Sequence, residues 1–189
     1  MKKSTKTLLS EYLTNLLKTT SLDDITVSEV VSGSGVSRMT FYYHFKNLNE
    51  LVDWSFSKRL GESFSVLTET DSWQDGIEEI FKFFLDRRDI MLNIFHSSNG
   101  IHFDVYLENA IEPVILQDME KRDPYKNLPS DNLNFIVRFA THAIIGFLLD
   151  WIREGMKRRP DEVIKQLANI FSVTTRYLAD EISTGSLEK

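Results

Sequence analysis

Residues 26–46 read Thr26-Val27-Ser28-Glu29-Val30-Val31-Ser32-Gly33-Ser34-Gly35-Val36-Ser37-Arg38-Met39-Thr40-Phe41-Tyr42-Tyr43-His44-Phe45-Lys46. The stretch opens on a threonine with a glutamate three positions later, a capping box in which hydroxyl and carboxylate satisfy the free N–H groups at a helix start. Val27, Val30 and Val31 give that helix an apolar side, and Gly33-Ser34-Gly35 ends it. A further helix is expected from Val36 or Ser37 to about His44. Two short helices joined by a glycine-containing turn form the helix-turn-helix pattern. The second helix of such a pair must protrude far enough to enter a major groove about 12 Å wide, while the first braces it across the backbone.

Helical spacing cannot bury all of Phe41-Tyr42-Tyr43-His44-Phe45 on one side, so at least two of these aromatic residues face solvent. Val36, Thr40 or Phe41, and Phe45 suit the inside; Ser37, Arg38, Met39, Tyr42 and Tyr43 are left for the outside. Those outward types suit DNA. Arg38, near the helix start, has the fork that pairs with a guanine edge, and Met39 and Tyr42 can pack on a thymine methyl. Tyr43, His44 and Lys46 are placed to reach phosphates. Thr26, at the start of the preceding helix, joins them, because helix N-termini offer backbone N–H groups to phosphate oxygens.

Outward from this segment, helical periodicity runs through nearly the whole chain and strand signals are almost absent. A first helix spans about Ser4 to Thr19, with Leu8, Tyr12 and Leu16 one turn apart. Asn47 or Asn49 caps a fourth, from about Asn49 to Leu67, and Ser72 caps a fifth. Arg87-Arg88-Asp89 breaks the pattern before a short helix through Phe95. Phe103 to Arg122 is helical with Pro113 inside, so a kink or two pieces is expected there. Asp131 caps a very apolar helix to about Arg158, and Pro160 precedes a last one, about Asp161 to Ile182. These last two helices are apolar on more than one face, which for a peripheral pair points to burial against a second copy, the alternative being that they complete the core of a single chain. Middle-helix residues Phe84, Met91, Phe95, His96, Phe103, Tyr106 and His142 are candidates for the wall of a small-molecule pocket.

The run Ile25-Thr26-Val27, then Gly35-Val36-Ser37-Arg38-Met39-Thr40-Phe41-Tyr42-Tyr43-His44-Phe45-Lys46 and Glu50-Leu51, resembles the DNA-binding head of the TetR/AcrR family of transcriptional regulators. The resemblance covers roughly residues 4–55. Val31 and Ser34 depart from it, standing where the family carries alanines that let the two helices pack closely. It implies an all-α fold: a three-helix head over residues 1–48 and a helical ligand-binding and dimerisation bundle over residues 49–189. It also implies that Thr40, Tyr42, His44 and Lys46 touch DNA, with the outward Ser37, Arg38 and Met39 beside them. The partners it implies are a palindromic duplex operator, a second copy held through helices 131–158 and 161–182, and a small-molecule effector. Phe41-Tyr42-Tyr43-His44-Phe45 and the later Gly146-Phe147-Leu148-Leu149-Asp150-Trp151-Ile152-Arg153-Glu154-Gly155-Met156 are similar to a branch that includes dihydroxyacetone-kinase-operon activators.

Composition agrees with this reading. The net charge of −6 is unevenly spread: residues 1–60 carry eight Lys/Arg against six Asp/Glu, and residues 61–189 carry 14 against 22. The head is thus +2 and the body −8, which fits a DNA-contacting head on an acidic body. No cysteine is present, which removes disulfides, thiolate metal sites and thiol nucleophiles. The basic N-terminus leads into no apolar signal segment. The longest uninterrupted apolar run, Ala143 to Leu149, has seven residues where a membrane span needs roughly 20. A soluble, cytoplasmic protein without cofactor is expected. A metal site from His96, His102, Asp104 and His142 is conceivable, but none of the histidines pairs with another at helical spacing, so no metal is expected. No phosphate loop or nucleophile elbow is present, which argues against an enzyme. The competing reading is a helical interaction scaffold that keeps the fold without specific DNA binding.

Overall fold

The structure, a computed structural model, describes residues 3–64, 72–97, 103–123 and 125–184. Among the described residues there are nine α-helices and no strand. They are α1 (Thr5–Leu16), α2 (Val27–Ser34), α3 (Arg38–His44), α4 (Leu48–Phe64), α5 (Trp73–Leu85), α6 (Arg88–Phe95), α7 (Phe103–Glu120), α8 (Ser130–Arg153) and α9 (Pro160–Thr184). The chain forms two compact units, Met1–Ser63 with Asp86–His102, and Phe64–Leu85 with Phe103–Lys189.

In the first unit α1 turns Leu9, Leu13 and Leu17 inward at four-residue spacing, and all three are buried. Leu22, Ile25, Val30, Phe41, Phe45 and Leu51 complete this core. α1 crosses α2 closely at Gly33, where a Cβ would stand 1.8 Å from Cζ of Tyr12. The chain returns to this unit with α6: Asn93 Nδ2 donates to the carbonyl of Leu17 at 2.9 Å, satisfying a group that the end of α1 leaves open.

The second unit buries the apolar face of α5, Ile77, Ile80, Phe81 and Phe84, under α7, α8 and α9. Phe81 and Trp151 anchor it, with ring centroids 4.8 Å apart. α7 runs as one helix through Pro113 rather than as two pieces, and Pro113 is exposed. α8 begins at Ser130, with Asp131 in its first turn rather than capping it, and ends at Arg153, short of the expected Arg158. Gly155, at φ 81, stops it. The N–H of Met156 reaches back to Trp151 O at 2.8 Å and that of Gly155 to Ile152 O at 2.9 Å, the paired bonds of a Schellman ending. Trp151 then donates its indole N–H to Arg158 O at 2.8 Å, fixing the turn into α9, which opens on Pro160. Taken whole, α8 is long and apolar enough to cross a membrane, a property hidden by its short uninterrupted apolar run. Half of that stretch is buried inside the protein.

Candidate nucleic-acid interface

The turn between α2 and α3 is built by local hydrogen bonds that the sequence encodes residue by residue. Thr26 Oγ1 accepts from the N–H of Glu29 at 3.2 Å, while Glu29 Oε2 accepts from Thr26 N at 2.8 Å, so both halves of the capping box form. These bonds favour the ionised carboxylate and hold Glu29 below its ordinary value, the Thr26 hydroxyl having the larger effect and its backbone N–H the next. Gly35, at φ 69, ends α2. Ser37 Oγ caps α3 by accepting from Thr40 N at 3.1 Å. Asn47 Oδ1 caps α4 by accepting from Glu50 N at 2.9 Å, and Glu50 accepts in turn from the N–H of Lys46 at 2.5 Å.

α3 is anchored by two rings and displays the rest. Phe41 and Phe45 are buried, with Phe45 6.0 Å from the Trp54 ring of α4. The Lys6 ammonium lies over both Phe45 and Trp54, at 5.3 and 5.6 Å from their centroids. On the opposite face Met39 is 82% exposed, Tyr42 49% and Tyr43 84%. The Arg38 guanidinium rests over the Tyr42 ring at 5.9 Å, one turn along, with Nη1 3.4 Å from Ser28 Oγ of α2. Two residues of the expected set are partly engaged: Thr40 is half-buried and shares a hydrogen bond with Ser37 at 2.7 Å, and half-buried His44 meets Tyr43 edge to face at 5.0 Å. Thr26 and Lys46 are exposed, and the backbone N–H of each is already held by a glutamate. Periodicity missed Lys6 and Ser28, because each acts across helices.

The wall residues suggested for a pocket fall in both units. Met91, Phe95 and His96 lie in the first unit, buried, half-buried and exposed respectively. In the second, Phe84 is buried core and Tyr106 is half-buried. Exposed His142 sits on α8 with Nε2 3.3 Å from Glu108. The side chain of Phe103, like His102, lies outside the described residues. Among the described residues no three His, Asp or Glu side chains gather as a metal site.

Residues 71–173, more than half of the chain, match the TetR_C_8 family, described as a transcriptional regulator C-terminal region. The chain belongs to the TetR family of transcriptional regulators. That membership places this regulator among transcription factors and not among enzymes. It is 25% identical over 174 residues to the HTH-type dhaKLM operon transcriptional activator DhaS of Lactococcus lactis subsp. lactis strain IL1403, covering 90% of this chain and 91% of that protein. Among solved structures, a dihydroxyacetone kinase operon activator DhaS superposes with a TM-score of 0.65 at 20% identity, covering 95% of this chain and 96% of that one. A TetR transcriptional regulator from Streptococcus agalactiae 2603V gives 0.62 at 19% identity, over 88% and 92% of the two chains. NalD, the secondary repressor of the MexAB-OprM multidrug efflux pump in Pseudomonas aeruginosa, gives 0.54 at 19% identity over 88% and 93%. The regulator thus has a TetR-like all-α fold.

Proposed function

We propose that the regulator works in the cytoplasm, binding a palindromic operator as a homodimer, with residues 1–48 reading DNA and residues 49–189 carrying dimerisation and effector binding. The observation that carries the reading is the outer face of α3. Met39 and Tyr43 stand in solvent at four-residue spacing, beside an arginine already stacked on Tyr42. Large apolar side chains left in water on so short a helix mark a contact surface, and a pre-stacked guanidinium loses little freedom on meeting a guanine edge.

The dimer reading is supported by the second unit. Phe135, Phe139 and Phe147 are exposed along one side of α8, and Ile170, Val173 and Tyr177 along α9. These helices pack on each other, so the two stripes offer an apolar surface that a two-fold mate covers. The relatives named DhaS are activators, so activation is the sign of regulation to test first.

The deciding experiment is selection of bound duplexes from a random pool with wild type and with Arg38→Ala, Tyr42→Ala. An enriched palindrome seen only with wild type is expected, its half-site spacing reporting the dimer. A folded wild type that enriches nothing at low salt moves the assignment to an interaction scaffold.

A further inference from the structure

The second unit contains a cavity of about 210 Å³ between the start of α5, the end of α7, the 3-10 turn Tyr125–Asn127, α8 and α9. None of the wall residues suggested by the sequence lines it. Trp73 and Phe171 form an apolar wall, their rings edge to face with centroids 5.8 Å apart. Beside them the buried Tyr125 hydroxyl and Thr175 Oγ1 are 2.7 Å apart. Thr175 spends its own proton on the carbonyl of Phe171 at 2.5 Å, so Tyr125 is the donor of that pair and its oxygen keeps lone pairs to offer.

Two further acceptors line the same space. Gln74 Oε1 is buried and has no hydrogen-bond partner among the described residues. Asp118 takes Arg122 Nη2 at 2.8 Å and Trp73 N at 3.3 Å, both on Oδ1, which leaves Oδ2 unengaged among the described residues. Its side chain is only 10% exposed. A buried acceptor without a donor is costly and native proteins rarely leave one so, which singles out Gln74 Oε1, while Asp118 Oδ2 is an acceptor still reached by solvent. Arg122 already balances the charge of Asp118, so the site asks for donors rather than for a cation. The volume lies below the roughly 300–1,000 Å³ of common ligand pockets, which limits the occupant to about one ring.

We infer that this cavity binds a small uncharged molecule with an apolar, ring-sized frame that carries hydroxyl or amine hydrogen-bond donors. The inference rests on the ligand-responsive reading above and gives that reading a site and a ligand class. Phenol and aniline are the donor-bearing probes, and anisole is the counterpart without a donor. Thermal unfolding and NMR of the full-length protein report binding. Phenol and aniline are expected to raise Tm by roughly 2 °C or more near saturation, and anisole to do so far less. Gln74→Leu keeps the bulk and removes the acceptor, and should weaken phenol roughly fivefold. Ala168→Phe fills the cavity and should abolish binding.

Equal binding of anisole, or phenol binding unchanged in Gln74→Leu, overturns the inference. Operator affinity measured on the same samples separates the two claims. Phenol seated in the cavity with operator affinity unmoved keeps the site and defeats ligand-responsiveness. A compound that shifts operator affinity equally in wild type and Ala168→Phe keeps ligand-responsiveness and overturns this site.

Discussion

Gly33 shows how much one missing methyl can decide. The ring of Tyr12 occupies the place where its Cβ would stand, so Gly33→Ala must push that ring out of its seat between α1 and α2. Gly33 is exposed and the atoms met are the far end of a half-buried side chain, so the expected loss is up to about 1 kcal/mol by denaturant unfolding. In a Tyr12→Ala background the space is open, and the same change should gain up to about 1 kcal/mol from helix propensity. A loss of equal size in both backgrounds would remove the close approach from the explanation. Glu29 carries a second, pH-dependent prediction. Its folded pKa is depressed, so the cap contributes fully above the ordinary value of 4.5 and the contribution drains away as pH falls through the lower folded value. Glu29→Gln keeps an acceptor without that titration. Wild type minus Glu29→Gln stability should therefore fall between about pH 5 and pH 2 and stay flat above; a flat difference throughout would sink the assignment.

At the scale of elements, the ending of α8 depends on Gly155 holding a left-handed conformation so that two N–H groups can turn back. Gly155→Ala should cost about 1–2 kcal/mol, read as a lower Tm; an unchanged Tm would mean the ending is set elsewhere. This is also where sequence reading ran furthest from the structure. Caps written in adjacent letters were legible: Thr26 with Glu29 and Ser72 before α5, with Asn47 one of the two asparagines offered before α4; the cap that Ser37 makes on α3 was not read. The buried and exposed faces of α3 followed from periodicity alone, because 3.6 residues per turn separates Phe41 and Phe45 from Met39 and Tyr43. The end of α8 was not legible, because Ile152 and Met156 keep the four-residue apolar spacing across it and periodicity sees no stop; Gly155 was the available signal. The cavity was invisible for another reason. Gln74, Asp118, Tyr125 and Thr175 come from four segments up to about a hundred residues apart, and no spacing rule joins them.

At the scale of the whole molecule, the dimer proposal makes a clean test. Phe135 is 67% exposed on α8, so Phe135→Glu takes little from the packing within one chain and should leave the thermal transition of the monomer intact. Sedimentation at micromolar concentration should show a dimer for wild type and half that mass for the variant. Equal masses would move the interface off α8. The first compact unit has its own consequence, one of timing. It contains α6, and Asn93 closes the end of α1 from 76 positions downstream. Synthesis runs from the N-terminus, so α1 to α5 leave the ribosome before the residue that finishes the head. A chain interrupted between the end of α3 and the start of α6 carries every letter of the recognition helix and still lacks this tie. Cutting after residue 64 to obtain a convenient DNA-reading fragment would reproduce that unfinished state, and the last turn of α1 and its cap at Leu17 should exchange amide hydrogens faster than in the full-length protein.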